Sequence, residues 1–317
     1  MTTQRNTAIV TGAGSGIGRA MTLGLLGAGI DVAAVDREAS WLDELKGAVD
    51  ASRLTGQLQT LQSDLSDPAS FDRITAAVLD AAGRIDILVS NAGIGQGSIR
   101  ADQRHNPLRF WDITPEQWDR FVAVNATAPL MLARAVVPHM LRARRGRIIT
   151  VTTSLGTMLR EGYMLYGASK AAAEAATAVM SADLAGTGVT ANVLVPGGMT
   201  DTRIVPDAAV ADRSKLLQPE IMVPPLLWLV SMPPQASPAD ASSQPIGTRH
   251  CRPRRRPKNA ARQLPGRRSP PCRLNRAERP CTATACISAS CPAIGPAGWT
   301  PCASTSMQLP PISAVPR

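Results

Sequence analysis

The stretch that most limits the folds open to this chain is Thr11-Gly12-Ala13-Gly14-Ser15-Gly16-Ile17-Gly18-Arg19-Ala20. A short apolar run, Thr7-Ala8-Ile9-Val10, leads into it, and a helical apolar pattern through Met21, Leu25 and Leu26 leads out. A buried strand, a glycine-rich turn and a helix start make a cradle for a pyrophosphate. Glycines let the backbone approach the phosphates, and the helix offers free N–H groups and the positive end of its dipole. The register is specific. G-x-G-x-x-G fails, because the sixth position counted from Gly12 is Ile17. G-x-x-x-G-x-G fits through Gly12, Gly16 and Gly18, with Ser15 and Ile17 inside the loop. Nucleotide binding is the expectation.

A second apolar strand over residues 31–35 ends in Asp36-Arg37. An acidic side chain roughly 20 residues past such a loop accepts hydrogen bonds from the adenosine ribose and repels a 2′-phosphate. Asp36 therefore argues for NAD over NADP, although Arg37 could offset a 2′-phosphate charge.

The alternation continues. A helix is expected over residues 40–49 and a strand over 58–61, ending in Ser63-Asp64-Leu65. Pro68 suits the first turn of a helix through Phe71, Ile74, Val78 and Leu79. A strand over residues 85–89 runs into Ser90-Asn91-Ala92-Gly93, and one long helix is expected over 115–144, carrying Asn125. A strand over 147–151, a helix over 165–184, a strand over 189–195 and the end of a helix over 224–230 follow. Strands alternating with helices imply parallel crossovers. The expected fold class is α/β, a Rossmann-like doubly wound parallel sheet in a single domain. Ligands in such sheets sit beyond the strand C-terminal ends, where these motifs fall.

Tyr166 and Lys170 stand four apart in a helical segment and so project from one face. A tyrosine titrating near ~10 is a poor base at neutral pH. An ammonium beside it favours the phenolate, which would equip Tyr166 for proton transfer.

Thr11-Gly-x-x-x-Gly-x-Gly18, Asp64-Leu65, Asn91-Ala92-Gly93, Asn125, Tyr166-x-x-x-Lys170 and Pro196-Gly197 follow one another in a familiar order. On them the sequence resembles the short-chain dehydrogenase/reductase family, of the compact single-domain kind, over residues 5–230. The resemblance implies an oxidoreductase moving hydride between NAD(P) and the carbinol carbon of an alcohol or ketone. Tyr166 would be the general acid/base, Lys170 would bind the nicotinamide ribose and lower the Tyr166 pKa, and Asn125 would hold a relay water. Asp64 and Leu65 would sit by the adenine, and Asn91, Ala92 and Gly93 would line the cofactor. Pro196 and Gly197, with Met199 just beyond, would abut the nicotinamide. The family's substrate-orienting serine, usually thirteen residues before the tyrosine, falls on Thr153, with Ser154 next to it. Both carry a hydroxyl, and Ser154 is the slightly preferred reading because residues 155–163 could absorb a one-residue offset. The threonine expected after Pro-Gly is displaced, position 201 being Asp between Thr200 and Thr202. The family also implies a homodimer or homotetramer, built on the small residues Ala171, Ala172, Ala173, Ala175 and Ala176 and on the 115–144 helix. An impaired nucleotide-binding protein of the same fold is the competing reading.

Residues 94–114 and 198–218 would choose the substrate, and neither holds a recognition motif. His105, His139 and His250 form no ligand cluster, so no metal is assigned. Residues 1–11 hold no signal-peptide run and no stretch reaches the roughly 18 apolar residues of a membrane span. The chain thus reads as cytoplasmic, with no membrane partner.

Charge divides the sequence in two. Residues 1–230 carry a net −1 and residues 231–317 a net +11, and all six cysteines lie beyond residue 250. The second part has no hydrophobic periodicity, and Trp299 is its one Trp, Tyr or Phe residue. Such a segment cannot offset its ordering entropy and is expected to be a disordered tail. A basic tail for nucleic acid and a metal module on Cys281, Cys286 and Cys291 are the weaker explanations. Out-of-frame translation after about residue 231 explains the composition better, and would deprive the sheet of a last strand.

Overall fold

Strands β1 (Thr7–Thr11), β4 (Ile87–Ser90) and β5 (Gly146–Val151) are buried along their whole length, and β2 (Asp31–Asp36) is nearly so. Strands of Val, Ile, Leu and Ala with no polar face must lie inside a sheet covered on both sides. The computed structural model, which describes residues 5–103 and 105–233, places them there. With β3 (Leu58–Gln62) and β6 (Val189–Leu194) they form a six-stranded sheet in the order β3-β2-β1-β4-β5-β6, every pair parallel. The expected doubly wound α/β fold is present.

Alternate residues of each strand feed two separate cores. On one face Ala8 and Val10 pack with Met21, Leu25 and Leu26 of α1 (Gly16–Gly27), Leu42 and Leu45 of α2 (Ala39–Asp50), and Leu226 and Leu229 of α8 (Val223–Ser231). On the other, Ile9 meets Ile74 and Val78 of α3 (Ser70–Ala82) and Leu132 and Val136 of α5 (Ala128–Ala143). The remaining helices are α4 (Pro115–Val122), α6 (Leu155–Met158) and α7 (Met164–Asp183).

Three local expectations are corrected. Pro68 lies in the turn before α3, whose first residue is Ser70, because Asp67 caps that turn by accepting from Ala69 N at 3.0 Å. Strand β4 starts at Ile87, since Asp86 is drawn into a cluster with Arg84 and Arg145 at the strand's foot. The 115–144 helix is not uniform. Thr114 and Gln117 start it with a reciprocal capping box, and a π-helical turn at Ala123–Thr127 separates α4 from α5. Such turns are rare single-turn insertions within α-helices; this one carries the buried Asn125, and helical periodicity does not reveal it.

Counted through that turn, Pro115–Ala143 has 29 residues and contains an 18-residue window of mean hydropathy 1.5, so by length and composition it is long and apolar enough to cross a membrane. This departs from the expectation that no stretch is. The apolar positions Leu132, Val136 and Met140 are completely buried in the domain core, as in any core helix of this length. Among the described residues the sheet ends at β6 on one side and β3 on the other. Every reading of residues 234–317, including the disordered tail, the cysteine module and the altered frame, lies outside the described residues.

Candidate active site

The strand order reverses between β1 and β4, whose connections leave in opposite directions and open a cleft at their C-terminal ends. The glycine loop fills one side. Gly12 has φ +63, and a Cβ on Gly18 would lie 1.9 Å from the Gly12 carbonyl oxygen, so no other residue fits there. Asn91 braces the loop from β4: its Nδ2 donates to the Thr11 carbonyl at 3.0 Å and the Gly12 carbonyl at 3.3 Å. In return the Thr11 hydroxyl accepts from the Asn91 and Ala92 amides, both at 3.0 Å.

Asp36 sits at the end of β2 with its carboxylate buried against the loop, accepting from Gly14 N at 2.9 Å and Glu38 N at 3.2 Å. Arg37 is half exposed and paired with Glu38 at 3.1 Å. Trp41 of α2 closes over Gly14. It carries on its ring the guanidinium of Arg203, 4.7 Å from the centroid, and Arg203 also reaches Glu44 at 3.1 Å. The segment after β6 is thereby fastened across the cleft, with Thr202 packed on Gly16.

Opposite the loop, the first turns of α7 carry Tyr166 and Lys170 into the same cavity of about 800 Å³. Lys170 is buried and donates to the Val151 carbonyl at 2.9 Å. Burial lowers its pKa to about 8. Tyr166 does not have the lowered pKa expected from Lys170. Burial and the neighbouring Tyr163 push it up to about 12, against a hydrogen bond with Thr153 that favours the phenolate. In the protein alone desolvation is the largest influence on both groups.

Thr153, not the preferred Ser154, meets the Tyr166 phenol. Ser154, the N-terminal boundary residue of α6, is exposed at the edge of the cavity, its hydroxyl bonded to Thr157 at 3.1 Å. Asn125 is completely buried behind the cavity. Its Oδ1 accepts from Ile94 N at 2.9 Å, and its Nδ2 donates to the Ile94 carbonyl and the Ser169 hydroxyl, both at 3.0 Å.

The cavity wall gathers Gly12, Ser15, Gly16, Ile17, Asp36, Arg37, Asp64, Leu65, Asn91, Ala92, Gly93, Thr153, Ser154, Tyr166, Lys170, Pro196 and Met199 from six separate strand ends. Gly18, Asn125 and Gly197 are not part of that wall: Asn125 is buried behind it, and Gly197 is exposed. Gln96, Gln103, Arg160, Tyr163, Trp41 and Arg203 also line it and are absent from the motif-based set. Gln96, Gln103 and Arg203 come from the two segments expected to choose the substrate, whereas Arg160 and Tyr163 come from the connection into α7. Among the described residues no group of His, Cys, Asp and Glu could hold a metal ion.

A dinucleotide suits this geometry: the loop has no side chains where Gly12 and Gly18 approach each other, and a buried carboxylate closes the far end. A family model described as short chain dehydrogenase matches residues 6–211. The chain is 29% identical over 239 residues to an uncharacterized oxidoreductase of Staphylococcus epidermidis, covering 75% of this chain and 96% of that relative. It is 34% identical over 222 residues to the cyclohexanol dehydrogenase of Rhodococcus sp., covering 66% of this chain and 80% of the relative. Among solved structures, a metagenomic short-chain oxidoreductase in complex with NADP superposes with TM-score 0.61 at 26% identity, covering 73% of this chain and 93% of that one.

Proposed function

Because this chain belongs to the short-chain dehydrogenase family, we propose that it is an NAD(P)-dependent oxidoreductase interconverting a secondary alcohol and its ketone. The observation that carries this reading is the convergence of Thr153, Tyr166 and Lys170 on the cavity that the glycine loop closes. A nicotinamide cofactor, when bound, supplies or takes the hydride. Gly12, Ser15, Gly16 and Ile17 would hold its pyrophosphate, Asp36 its adenosine ribose, Asp64 and Leu65 its adenine, and Asn91 to Gly93, Lys170, Pro196 and Met199 its nicotinamide half.

Tyr166 handles the proton. With its pKa near 12 it is a phenol at neutral pH, so in ketone reduction it donates to the oxygen that becomes the alcohol hydroxyl. In the reverse direction it takes that proton. Thr153 holds the phenol oxygen and orients the substrate oxygen beside it. Asn125 is a positioning residue: it ties the loop after β4 to Ser169, whose hydroxyl in turn bonds the Tyr166 carbonyl at 3.0 Å. NAD is the proposed cofactor, since the buried Asp36 carboxylate would repel a 2′-phosphate. The solved neighbour in complex with NADP makes this a real question. A homo-oligomer is proposed as well, from the exposed small face of α7 at Ala171, Ala172 and Ala175.

Fluorescence titration of NADH and NADPH, with cyclohexanol oxidation followed by nicotinamide absorbance, tests the reading. Tighter binding of NADH, a preference narrowed by Asp36→Ala, and turnover of the alcohol are expected. Binding of neither nucleotide would refute it.

A further inference from the structure

The half of the cavity around Tyr166 is rich in donors and lacks carboxylates. Asp36 and Asp64, the two carboxylates in the wall, belong to strand ends β2 and β3 on the adenosine side. On the Tyr166 side stands Arg160. Among the described residues it has no carboxylate partner, and the acid beside it, Glu161, is taken by Arg109. Arg160 is instead held by Tyr163, its guanidinium 5.3 Å from the ring centroid. Tyr163 meets Tyr166 edge-on at 6.5 Å, so the cation is linked to the reacting phenol through one aromatic ring.

Two further donors face this half. The Tyr163 oxygen accepts from Gln103 Nε2 at 3.1 Å, which leaves its own proton to donate. Gln96 is 2% exposed, and its Nε2 has no partner in the protein while its Oε1 accepts from Tyr166 N. A buried amide donor without a partner costs free energy unless a ligand satisfies it. Among the described residues Gln103 Oε1 is a buried acceptor without a partner in the protein, and suits a substrate hydroxyl.

Resting on the dehydrogenase reading, we propose that the substrate is an anionic one, a hydroxy or keto carboxylate whose carboxylate is bound by Arg160. Tyr163 fixes the guanidinium plane, and Gln96 and the Tyr163 hydroxyl supply the additional donors. A planar guanidinium recognises a carboxylate through paired N–H bonds, which a lysine cannot reproduce.

Three keto acids with the carboxylate progressively farther from the carbonyl, pyruvate, acetoacetate and levulinate, are compared with their methyl esters in the cofactor-loaded enzyme. For at least one pair, kcat/KM is expected to favour the acid by about tenfold or more, the scale of a charge-assisted hydrogen bond. Arg160→Gln should cut that acid-to-ester ratio about tenfold, through KM, and Arg160→Lys should restore part of it. A ratio that Arg160→Gln leaves unchanged, or esters preferred in all three pairs, overturns the proposal. If no ketone is turned over, the dehydrogenase reading fails separately, and calorimetric binding of the three acids to the NADH-mixed protein decides. Binding weakened by Arg160→Gln supports the anion site, and equal or absent binding overturns it.

Discussion

The Thr153 side chain faces the phenol of Tyr166 and favours its ionised form, while the Ser154 hydroxyl next to it is bonded to Thr157 at 3.1 Å. Both residues line the cavity, but the Thr153 side chain addresses the phenol whereas the Ser154 hydroxyl is engaged by Thr157.

Thr153→Val keeps the shape and removes the hydroxyl. It should lower kcat/KM by about a hundredfold, whereas Ser154→Ala should cost less than about threefold and Thr153→Ser should retain most activity. Initial rates with one alcohol check all three. Equal losses at both positions would show that the turn rearranges during turnover.

The contrast shows what the sequence could and could not convey. Glycine spacing, strand-end Asp36 and the Tyr166–Lys170 pair were legible because each follows from backbone geometry or helical periodicity. The parallel sheet followed from buried strands alternating with helices. The choice between Thr153 and Ser154 was not, because it depends on where α6 begins. Nor was the π turn at Asn125, which no propensity encodes. The raised Tyr166 pKa was missed since spacing gives proximity and not desolvation. Arg160 and Tyr163 carried no motif; their only signal was a cation and an aromatic just ahead of Tyr166.

Lys170 is held at a cost to stability. Its folded pKa, about 8, lies below the ordinary lysine value of 10.5, so the unfolded chain binds its proton more tightly. Stability from this group is therefore least below pH 8 and rises as pH climbs from about 8 to 10.5. Lys170→Met should abolish turnover yet raise Tm at pH 7 by a few degrees, a gain that fades across that interval. Thermal melts at pH 7, 9 and 10.5 check it, and a Tm lowered equally at all three pH values would count against the buried-ammonium picture.

Asp86 behaves in the opposite sense. Burial pushes its pKa up, but hydrogen bonds from Arg84, Thr7 N and Arg145 outweigh burial and hold it below the usual carboxylate value. Its contribution is present above the unfolded carboxylate pKa and disappears as pH falls through the lower folded one. Asp86→Asn should cost about 2–3 kcal/mol at pH 7 and much less in acid. Urea unfolding at pH 7 and pH 3 measures both.

Arg203 fastens the segment after β6 to Trp41 and Glu44. An exposed cation–π contact with a solvent-screened ion pair amounts to about 1 kcal/mol, so Arg203→Ala should speed NADH release by about two- to fivefold. Stopped-flow displacement reads this directly. An unchanged release rate would mean that the segment opens elsewhere.

The central claim is that Tyr166 moves the proton, and Tyr166→Phe tests it most directly, since it deletes one hydroxyl and leaves the glycine cradle intact. Steady-state turnover of an alcohol should fall by at least about a hundredfold, with NADH affinity within about twofold of the parent. Turnover within tenfold of the parent, at unchanged nucleotide affinity, would contradict the claim.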